Sequence, residues 1–340
     1  MTDGVPVRAL AVEVLVRIER DRAFAAPLLA AKEGRVPPRD RGLLRTIVLS
    51  ALRNLSLLDH VLGRHLSRPI ETLDTDVRAG LRVGAAQLLL LERVPPHAAV
   101  GETVGAVRLR VPRAAGLVNA VLRKVASEGK PPRIDLGPET DPLARLALET
   151  SHPEWLVRRW VADLGLEAAE AALLSDDAEA SVDVLLDPRG EDPDACLARF
   201  RDAGLEGERS PWAPLAVTLS SAAAGSYPEI ASGRLAVVDV AAQAMCELVE
   251  PAEVVVDLAA APGGKTRTLL ATGRARRVVA LERNPTRTRR LAAGLQAAGR
   301  AEEVLVVRAD SARPPLPRGA FRSVLLDAPC SGTGTLRKNP

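Results

Sequence analysis

Four acidic residues each follow a short apolar run in the last third of the 340-residue chain. Asp257 follows EVVV, Glu282 follows RRVVAL, Asp310 follows EEVLVVRA, and Asp327 follows RSVLL. One such acid is commonly a helix cap, but four in the same position predict an acidic crevice at one edge of a sheet. Carboxylates arranged in this way suit a ligand that carries hydroxyls, an amine and a cationic centre.

The first of these runs continues into DLAAAPGGKT. Pro262 ends the run, and Gly263 and Gly264 allow backbone amides to approach a ligand at a helix N-terminus. GGKT resembles the end of a phosphate-binding P-loop, yet that motif requires glycine where this chain has Ala259. Glu282 is the kind of acid that binds the ribose of a nucleoside. We therefore favour a nucleoside-bearing cofactor and keep a P-loop ATPase as the alternative.

Cys330 lies in a polar, glycine-rich turn, DAPCSGTGTLRKNP. A cytosine ring does not react at carbon 5 until a thiolate adds at carbon 6, so cytosine-5 methylation needs a cysteine beside the base. Cys196 and Cys246 lie in helical patterns, where a buried structural role is expected. The four histidines lack the spacing of metal ligands, and no metal site is predicted.

The elements that must position these residues alternate between strand and helix from residue 251 onward. Four apolar runs separated by helical or loop segments predict a parallel sheet that is buried on both faces. The helix after the second run has Asn284 as its N-cap, Pro285 in its first turn and Gly299 past its end. Ligands of such sheets bind beyond the carboxyl ends of the strands.

The preceding residues follow different patterns. Residues 7–128 have helical periodicity almost throughout, and residues 131–150 are expected to form a proline-bearing linker. Ser151 and Glu154 have the spacing of a capping box at the start of the next helix. Mixed short strands and a helix follow. These patterns predict a multidomain fold: an all-α domain (1–130), a linker and helical connector (131–180), a small α+β module (181–245), and an α/β Rossmann-like domain (246–340).

AAAPGGKT, ALERN, RADS and DAPCSGTGTLRKNP resemble the motifs of the RsmB/Sun/NOP group of RNA cytosine-5 methyltransferases. HPEWLVRRW and the helical N-terminus resemble the bacterial branch that acts on small-subunit ribosomal RNA, whose N-terminal domain is similar to NusB. The resemblance covers essentially the whole chain. It implies that residues 1–130 form an RNA-binding domain and that residues 246–340 form a class I methyltransferase core, incomplete at its C-terminus.

This resemblance implies S-adenosylmethionine as the cofactor. Glu282 would bind its ribose, Asp310 would lie near the adenine, Asp327 would lie close to the transfer centre, and Cys330 would take part in catalysis. The methionine part would be bound by the loop residues Ala259, Ala260, Ala261, Pro262, Gly263, Gly264 and Lys265.

The chain departs from the family pattern at its end. In the family the attacking cysteine lies in a later Thr-Cys-Ser-like motif, and the cysteine of the Pro-Cys motif assists release of the product. This sequence stops at Pro340, ten residues beyond Cys330, without that motif or the remaining strands of the sheet. We expect a C-terminally truncated form of a longer enzyme, which keeps much of the cofactor pocket but lacks turnover.

Charge is segregated along the chain. Residues 1–130 carry 21 Lys and Arg against 13 Asp and Glu, residues 131–251 carry 9 against 23, and residues 252–340 carry 16 against 7. Basic ends of this kind are expected of a protein that neutralises phosphates. The candidate RNA face comprises Arg35, Arg39, Arg41, Arg45, Arg108, Arg110, Arg113, Arg123 and Lys124.

The remaining expectations concern partners and location. Small-subunit ribosomal RNA is the expected partner of a monomer without metal or membrane attachment. The longest leucine run, Leu88 to Leu91, is far shorter than the roughly 20 apolar residues of a membrane span. No leader is evident at the N-terminus, so a cytoplasmic protein is expected. A non-catalytic RNA-binding protein stays open as a further alternative.

Overall fold

The architecture is taken from a computed structural model. It describes residues 6–130, 134, 136–137, 140–177, 181–189, 192–220, 227–328, 330, 332–333 and 336. Two compact units divide the chain between residues 178 and 179, and the second extends to residue 332.

The first unit is helical throughout, as the periodicity predicts. Its first seven helices are α1 (Val7–Asp21), α2 (Ala25–Glu33), α3 (Pro38–Arg53), α4 (Leu55–Gly63), α5 (Thr75–Leu90), α6 (Pro96–Arg110) and α7 (Ala115–Glu128). Single 3₁₀ turns lie at Ile70–Thr72 and Pro112–Ala114. One apolar core joins all seven helices.

Helix α5 lies at the centre of this core and packs against α1, α6 and α7. A methyl group added at Gly80 would lie 2.2 Å from a methyl carbon of Val107, and one at Gly84 would lie 2.4 Å from a methyl carbon of Leu122. The two glycines therefore permit close approach of α6 and α7, which larger side chains would prevent.

Three further helices lie in the described part of the first unit: α8 (Pro142–Glu149), α9 (Glu154–Leu164) and α10 (Leu166–Asp177). The expectation of a linker over 131–150 is wrong for α8, because Leu146 and Ala147 are buried in a small apolar cluster with α9 and α10. Residues 131–133, 135 and 138–139 of that linker lie outside the described residues.

The predicted capping box at Ser151 is also wrong. Helix α9 has Pro153 at its N-cap, and no side chain caps it. The Ser151 hydroxyl instead accepts hydrogen bonds from the backbone amides of Ser56 (2.9 Å) and Leu57 (3.3 Å), in the first turn of α4. A free amide at any nearby helix start can recruit a serine hydroxyl, so sequence proximity alone does not identify the helix it caps.

The second unit begins with the small α+β module. Its four strands form an antiparallel sheet in the order β2-β3-β1-β4, and β2 was not predicted because GER lacks an apolar pattern. The elements are β1 (Val182–Leu185), α11 (Pro193–Asp202), β2 (Gly207–Arg209), β3 (Ala216–Leu219), α12 (Pro228–Ala231) and β4 (Ala236–Val237).

A parallel sheet in the order β7-β6-β5-β8 follows, as the four apolar runs predict. The elements are α13 (Val240–Glu247), β5 (Ala252–Asp257), α14 (Gly264–Ala271), β6 (Ala275–Leu281), α15 (Pro285–Ala297), β7 (Val304–Val307) and β8 (Ser323–Leu325). The Asn284 side chain caps α15 by accepting from the amides of Thr286 and Arg287, which confirms the predicted helix start. The strand order reverses at β5, so the carboxyl ends of β5 and β8 flank a switch point where ligands bind in such sheets.

Two arginines of the parallel-sheet domain connect it to the α+β module. Arg300, only 5% exposed, donates from Nε and Nη2 to the two carboxylate oxygens of Asp187 (2.9 and 2.8 Å). Arg267 of α14 donates to the carbonyl oxygens of Gly233 (2.9 Å) and Arg234 (2.5 Å). The module is thereby fixed behind the helix that starts at the glycine loop.

Candidate functional site

Asp257 at the end of β5 organises the loop that leads into α14. Its side chain is buried, 1% exposed, and accepts hydrogen bonds from the Thr266 hydroxyl (2.7 Å) and the Ala259 amide (3.3 Å). Burial raises the pKa of this carboxyl above its ordinary value, against the effect of those hydrogen bonds. The expectation of four acids in one crevice is therefore wrong for Asp257, which stabilises the loop from inside.

The two glycines of this loop lie against neighbouring elements. Gly263 has a φ of +110°, which a side chain would rarely adopt, and a methyl group added there would lie 2.8 Å from Leu291 of α15. A methyl group added at Gly264 would lie 3.1 and 3.2 Å from the methyl carbons of Val238. The backbone can therefore follow this tight path into the N-terminus of α14 only with glycine at position 263.

Glu282 follows β6 and is 8% exposed. One carboxylate oxygen accepts from the Asn284 amide (2.7 Å), and the other lies 3.4 Å from Nε of Arg287. Arg287 also donates to the carbonyl oxygen of Ala261 (2.7 Å), so it bridges the loops after β5 and β6. Sequence reasoning missed Arg287. Its place in the first turns of α15, five residues after Glu282, was the available signal.

Asp310 and Asp327 follow β7 and the edge strand β8, and both are more exposed. Asp310 accepts from the Ala312 amide (3.0 Å) and lies 3.5 Å from a guanidinium nitrogen of Arg283. Asp327 forms an ion pair with Lys265, at 2.5 Å between Nζ and Oδ2. The lysine that the sequence assigns to the cofactor loop thus has a carboxylate partner across the switch point.

One crevice of about 1020 Å³ opens beside the switch point. Among the predicted site residues, its walls include Ala259, Ala261, Glu282, Asp310, Asp327 and Cys330. Further lining residues are Leu258, Arg283, Asn284, Pro285, Arg287, Ser311, Ala312, Leu326 and Ala328. The fold therefore gathers three of the four strand-end acids and the exposed thiol of Cys330 around one space.

The other predicted cofactor residues lie beside that crevice. Ala260 is buried, and Pro262, Gly263 and Gly264 line a smaller cavity of about 250 Å³ on the side of the α+β module. Their contact with a cofactor stays a prediction. Pro329 and Ser331, which flank the exposed thiol, lie outside the described residues.

The other two cysteines are buried, as the helical patterns predict. Burial, reinforced by the negative charges of Asp257, Glu247 and Asp327, raises the pKa of Cys246 to about 12. A thiol of this kind stays protonated at neutral pH and does not act as a nucleophile. Among the described residues, Cys330 is thus the accessible thiol.

The parallel sheet with its switch-point crevice, glycine loop and strand-end acids defines a class I methyltransferase core. Three family models match the chain: "NusB family" over residues 5–127, "Methyltr_RsmF/B-like, ferredoxin-like domain" over 152–224, and "16S rRNA methyltransferase RsmB/F" over 245–340. The expected fold class is confirmed.

Similar proteins support the same assignment. The ribosomal RNA small subunit methyltransferase B of Pseudomonas putida is 34% identical over 338 residues, which cover 98% of this chain and 76% of that protein. The probable ribosomal RNA small subunit methyltransferase B of Bacillus subtilis is 30% identical over 98% of this chain and 75% of its own. The crystal structure of PH0851 has the same fold, with a TM-score of 0.75, 22% identity, and coverage of 99% of this chain and 77% of its own.

The chain belongs to the RsmB/F family of 16S rRNA methyltransferases. This membership favours the methyltransferase interpretation of GGKT over the P-loop one. None of the helices in the described part of the chain is long and apolar enough to cross a membrane.

Proposed function

We propose that this protein transfers a methyl group from S-adenosylmethionine to carbon 5 of a cytosine in small-subunit ribosomal RNA. The observation that carries the proposal is the single crevice lined by Glu282, Asp310, Asp327 and Cys330. Carboxylates suit the hydroxyls and amine of a nucleoside cofactor, and a thiol beside them suits covalent chemistry on a pyrimidine. Family membership supports the RNA substrate.

The donor set of the crevice fits S-adenosylmethionine. The nearly buried carboxylate of Glu282 would accept from the ribose hydroxyls, and Asp310 would accept from the amine of the adenine. Main-chain amides at the start of α14 would bind the carboxylate of the methionine part. Arg287, which borders the crevice and bridges its two loops, would keep these walls in place. When bound, the cofactor supplies the methyl group as an electrophile on a sulfonium centre.

The residues of this chain would act on the base. Methylation begins with addition of a cysteine thiolate to carbon 6, so that carbon 5 can take the methyl group as its bond to the sulfonium breaks. It ends when a base removes the proton on carbon 5 and the C6–S bond breaks, which returns the thiolate. We assign Cys330 to that elimination, with Asp327 orienting cofactor and base. The Lys265 ammonium at 2.5 Å from Asp327 would hold that carboxylate in a fixed direction.

Calorimetric titration with S-adenosylmethionine, with Mg-ATP as the control nucleotide, tests the cofactor class. We expect binding of the methyl donor only. Glu282→Gln should weaken that binding about tenfold, the loss of roughly one charge-assisted hydrogen bond. The matched variant Glu253→Gln alters a 60% exposed carboxylate near the start of the same sheet's β5 and should leave binding unchanged. Binding of Mg-ATP alone would refute the proposal.

Cys330→Ser tests the role of the thiol. If Cys330 assists elimination, a full-length enzyme with this substitution should accumulate a covalent RNA adduct that resists denaturing electrophoresis. If Cys330 is itself the attacking nucleophile, the same substitution should abolish the adduct. The second outcome would keep the reaction and reverse the assigned role.

A further inference from the structure

A stretch of 25 residues in the helical unit carries positive charge without any negative charge. Residues 103–127 contain Arg108, Arg110, Arg113, Arg123 and Lys124, and neither Asp nor Glu. They span the end of α6, the 3₁₀ turn and most of α7. Such a stretch attracts polyanions unless acids from other helices neutralise it.

In the folded unit, acids pair with many of the arginines, including one arginine of this stretch. Of the nine residues of the predicted RNA face, Arg110 pairs with Asp76, and Arg41 donates to a backbone carbonyl. The same holds for much of the basic surface of α1, α3 and α5. Further pairs are Arg17–Asp21, Arg20–Asp76, Arg35–Glu13, Arg39–Asp40, Arg45–Glu33, Arg78–Glu19 and Arg82–Asp59.

Four cations of the acid-free stretch differ from these. Arg108, Arg113, Arg123 and Lys124 are all exposed. None of these four cations forms an ion pair with a described residue of the unit. Their charge is therefore available to a partner, whereas the ion-paired arginines would first have to give up a carboxylate.

Helices α6 and α7 and the 3₁₀ turn between them carry these cations, and the two helices pack against each other. A single 3₁₀ turn joins the end of α6 to the start of α7, and Lys130 after α7 donates to the carbonyl of Leu91 before α6 (2.8 Å), so the helices are antiparallel. Ten residues separate Arg113 from Arg123, about 15 Å at the helical rise of ~1.5 Å per residue. One strand of a duplex carries roughly four phosphates over that length, at about 3.4 Å each.

Small exposed residues lie next to the cations in the described part of the unit. Gly116 on α7 is exposed, and a methyl group added there would meet no atom within 4 Å. On α7, Gly116 is followed at helical spacing by the exposed residues Ala120, Arg123 and Ser127. Small residues beside the long cations leave room for a phosphate backbone to approach.

We propose that Arg108, Arg113, Arg123 and Lys124 form an RNA-binding surface, the α6–α7 basic face, which contacts phosphates rather than bases. Positive charge without acids and uncovered small residues fit a sugar–phosphate backbone. Arg35, Arg39 and Arg45 of the predicted face contribute little, because they are engaged with carboxylates. The inference rests on the proposed function, since it takes RNA as the substrate.

The test measures RNA affinity against salt concentration. The full chain is titrated into a fluorescently labelled 16S rRNA hairpin of about 30 nucleotides between ~50 and ~300 mM KCl, because each lost phosphate contact reduces the slope of log K against log salt by about 0.7–0.9. Glutamine replaces all four cations of the basic face in one variant. In the control variant glutamine replaces Arg17, Arg35, Arg39 and Arg45, which changes the net charge equally.

In the basic-face variant, we expect the slope of log K against log salt to become shallower by about three, and the RNA affinity near 100 mM salt to fall roughly 100-fold. In the control variant, the slope should become shallower by less than one. In single variants at Arg108 and Arg123, the same slope should become shallower by just under one. These single variants keep the test valid if the fourfold variant fails to fold. Equal losses in both fourfold variants would overturn the inference. So would an RNA affinity that is unchanged in the basic-face variant.

The two proposals fail in different ways. If the wild-type chain binds neither the hairpin nor S-adenosylmethionine, the proposed function fails. If it binds both and the basic-face variant behaves like the control variant, only the location of the RNA surface is wrong. Affinity for S-adenosylmethionine should be the same in all these variants.

Discussion

Replacement of Arg300 by alanine should destabilise the second unit far more than replacement of Arg189, although both arginines contact the same two acids. Arg300 is 5% exposed and donates to both oxygens of Asp187 and to Glu303 (2.7 Å). The Arg189 side chain is 47% exposed, and it reaches Asp187 at 3.1 Å and Glu303 at 2.6 Å. Burial is thus the main difference between the two.

The magnitude follows from what each truncation leaves behind. Removing one partner of a fully buried pair costs about 3–5 kcal/mol. Asp187 keeps Arg189 and is 25% exposed, so we expect about 2–3 kcal/mol for Arg300→Ala. Exposed pairs contribute roughly 0–1 kcal/mol, and Arg189→Ala should lie in that range.

The effect should depend on pH in one direction. Burial by itself would raise the pKa of Asp187, but hydrogen bonds from Arg189 and Arg300 hold that pKa below its ordinary value of 3.8. A depressed carboxyl pKa contributes stability above that ordinary value and loses it as the pH falls through the folded-state pKa. The difference in stability between wild type and Arg300→Ala should therefore be constant from about pH 5 to 7, and it should shrink as the pH falls below the ordinary pKa of aspartate, about 3.9.

Hydrogen–deuterium exchange with mass spectrometry in increasing urea measures this locally. Peptides covering β1 and β5 report the second unit, and peptides covering α5 report the helical unit as an internal reference. Equal protection in Arg300→Ala and Arg189→Ala would refute the reasoning. So would a difference from wild type that persists unchanged when the carboxylate is protonated.

Three further predictions concern packing and reactivity. Gly84→Ala should cost about 1–3 kcal/mol, since its methyl group would overlap the facing leucine of α7, and an unchanged melting temperature would contradict this. At pH 8, iodoacetamide should label the exposed Cys330 and leave the buried Cys246 unlabelled, because burial raises the pKa of Cys246 to about 12. Mass spectrometry of the digested protein measures the labelling, and equal labelling of the two cysteines would contradict this prediction. Thr266→Val removes the hydroxyl that donates to the buried Asp257, so the free energy of unfolding, measured by urea titration, should fall by about 1–3 kcal/mol. An unchanged free energy of unfolding would contradict the structural role assigned to Asp257.

Several features of the fold follow from short stretches of sequence. The four apolar runs form the four parallel strands. Helix α15 begins after Asn284 with Pro285 and ends before Gly299, as these residue types predict. Such features depend on side-chain periodicity and on groups within a few residues of each other. Because the carboxyl ends of parallel strands share one edge, the sequence also predicted that Glu282, Asp310 and Asp327 lie near each other.

Partners that are distant in sequence were decided by the tertiary structure. Ser151 caps a helix almost 100 residues earlier, Asp257 is turned inward by Thr266, and Lys265 is paired with an acid 62 residues away. The tertiary structure also decided which cations of the predicted RNA face are ion-paired and which are available to a partner. A side chain's charge and hydrogen-bonding capacity are evident from its residue type, but whether they are already satisfied depends on which other side chains the packed fold brings within a few ångströms.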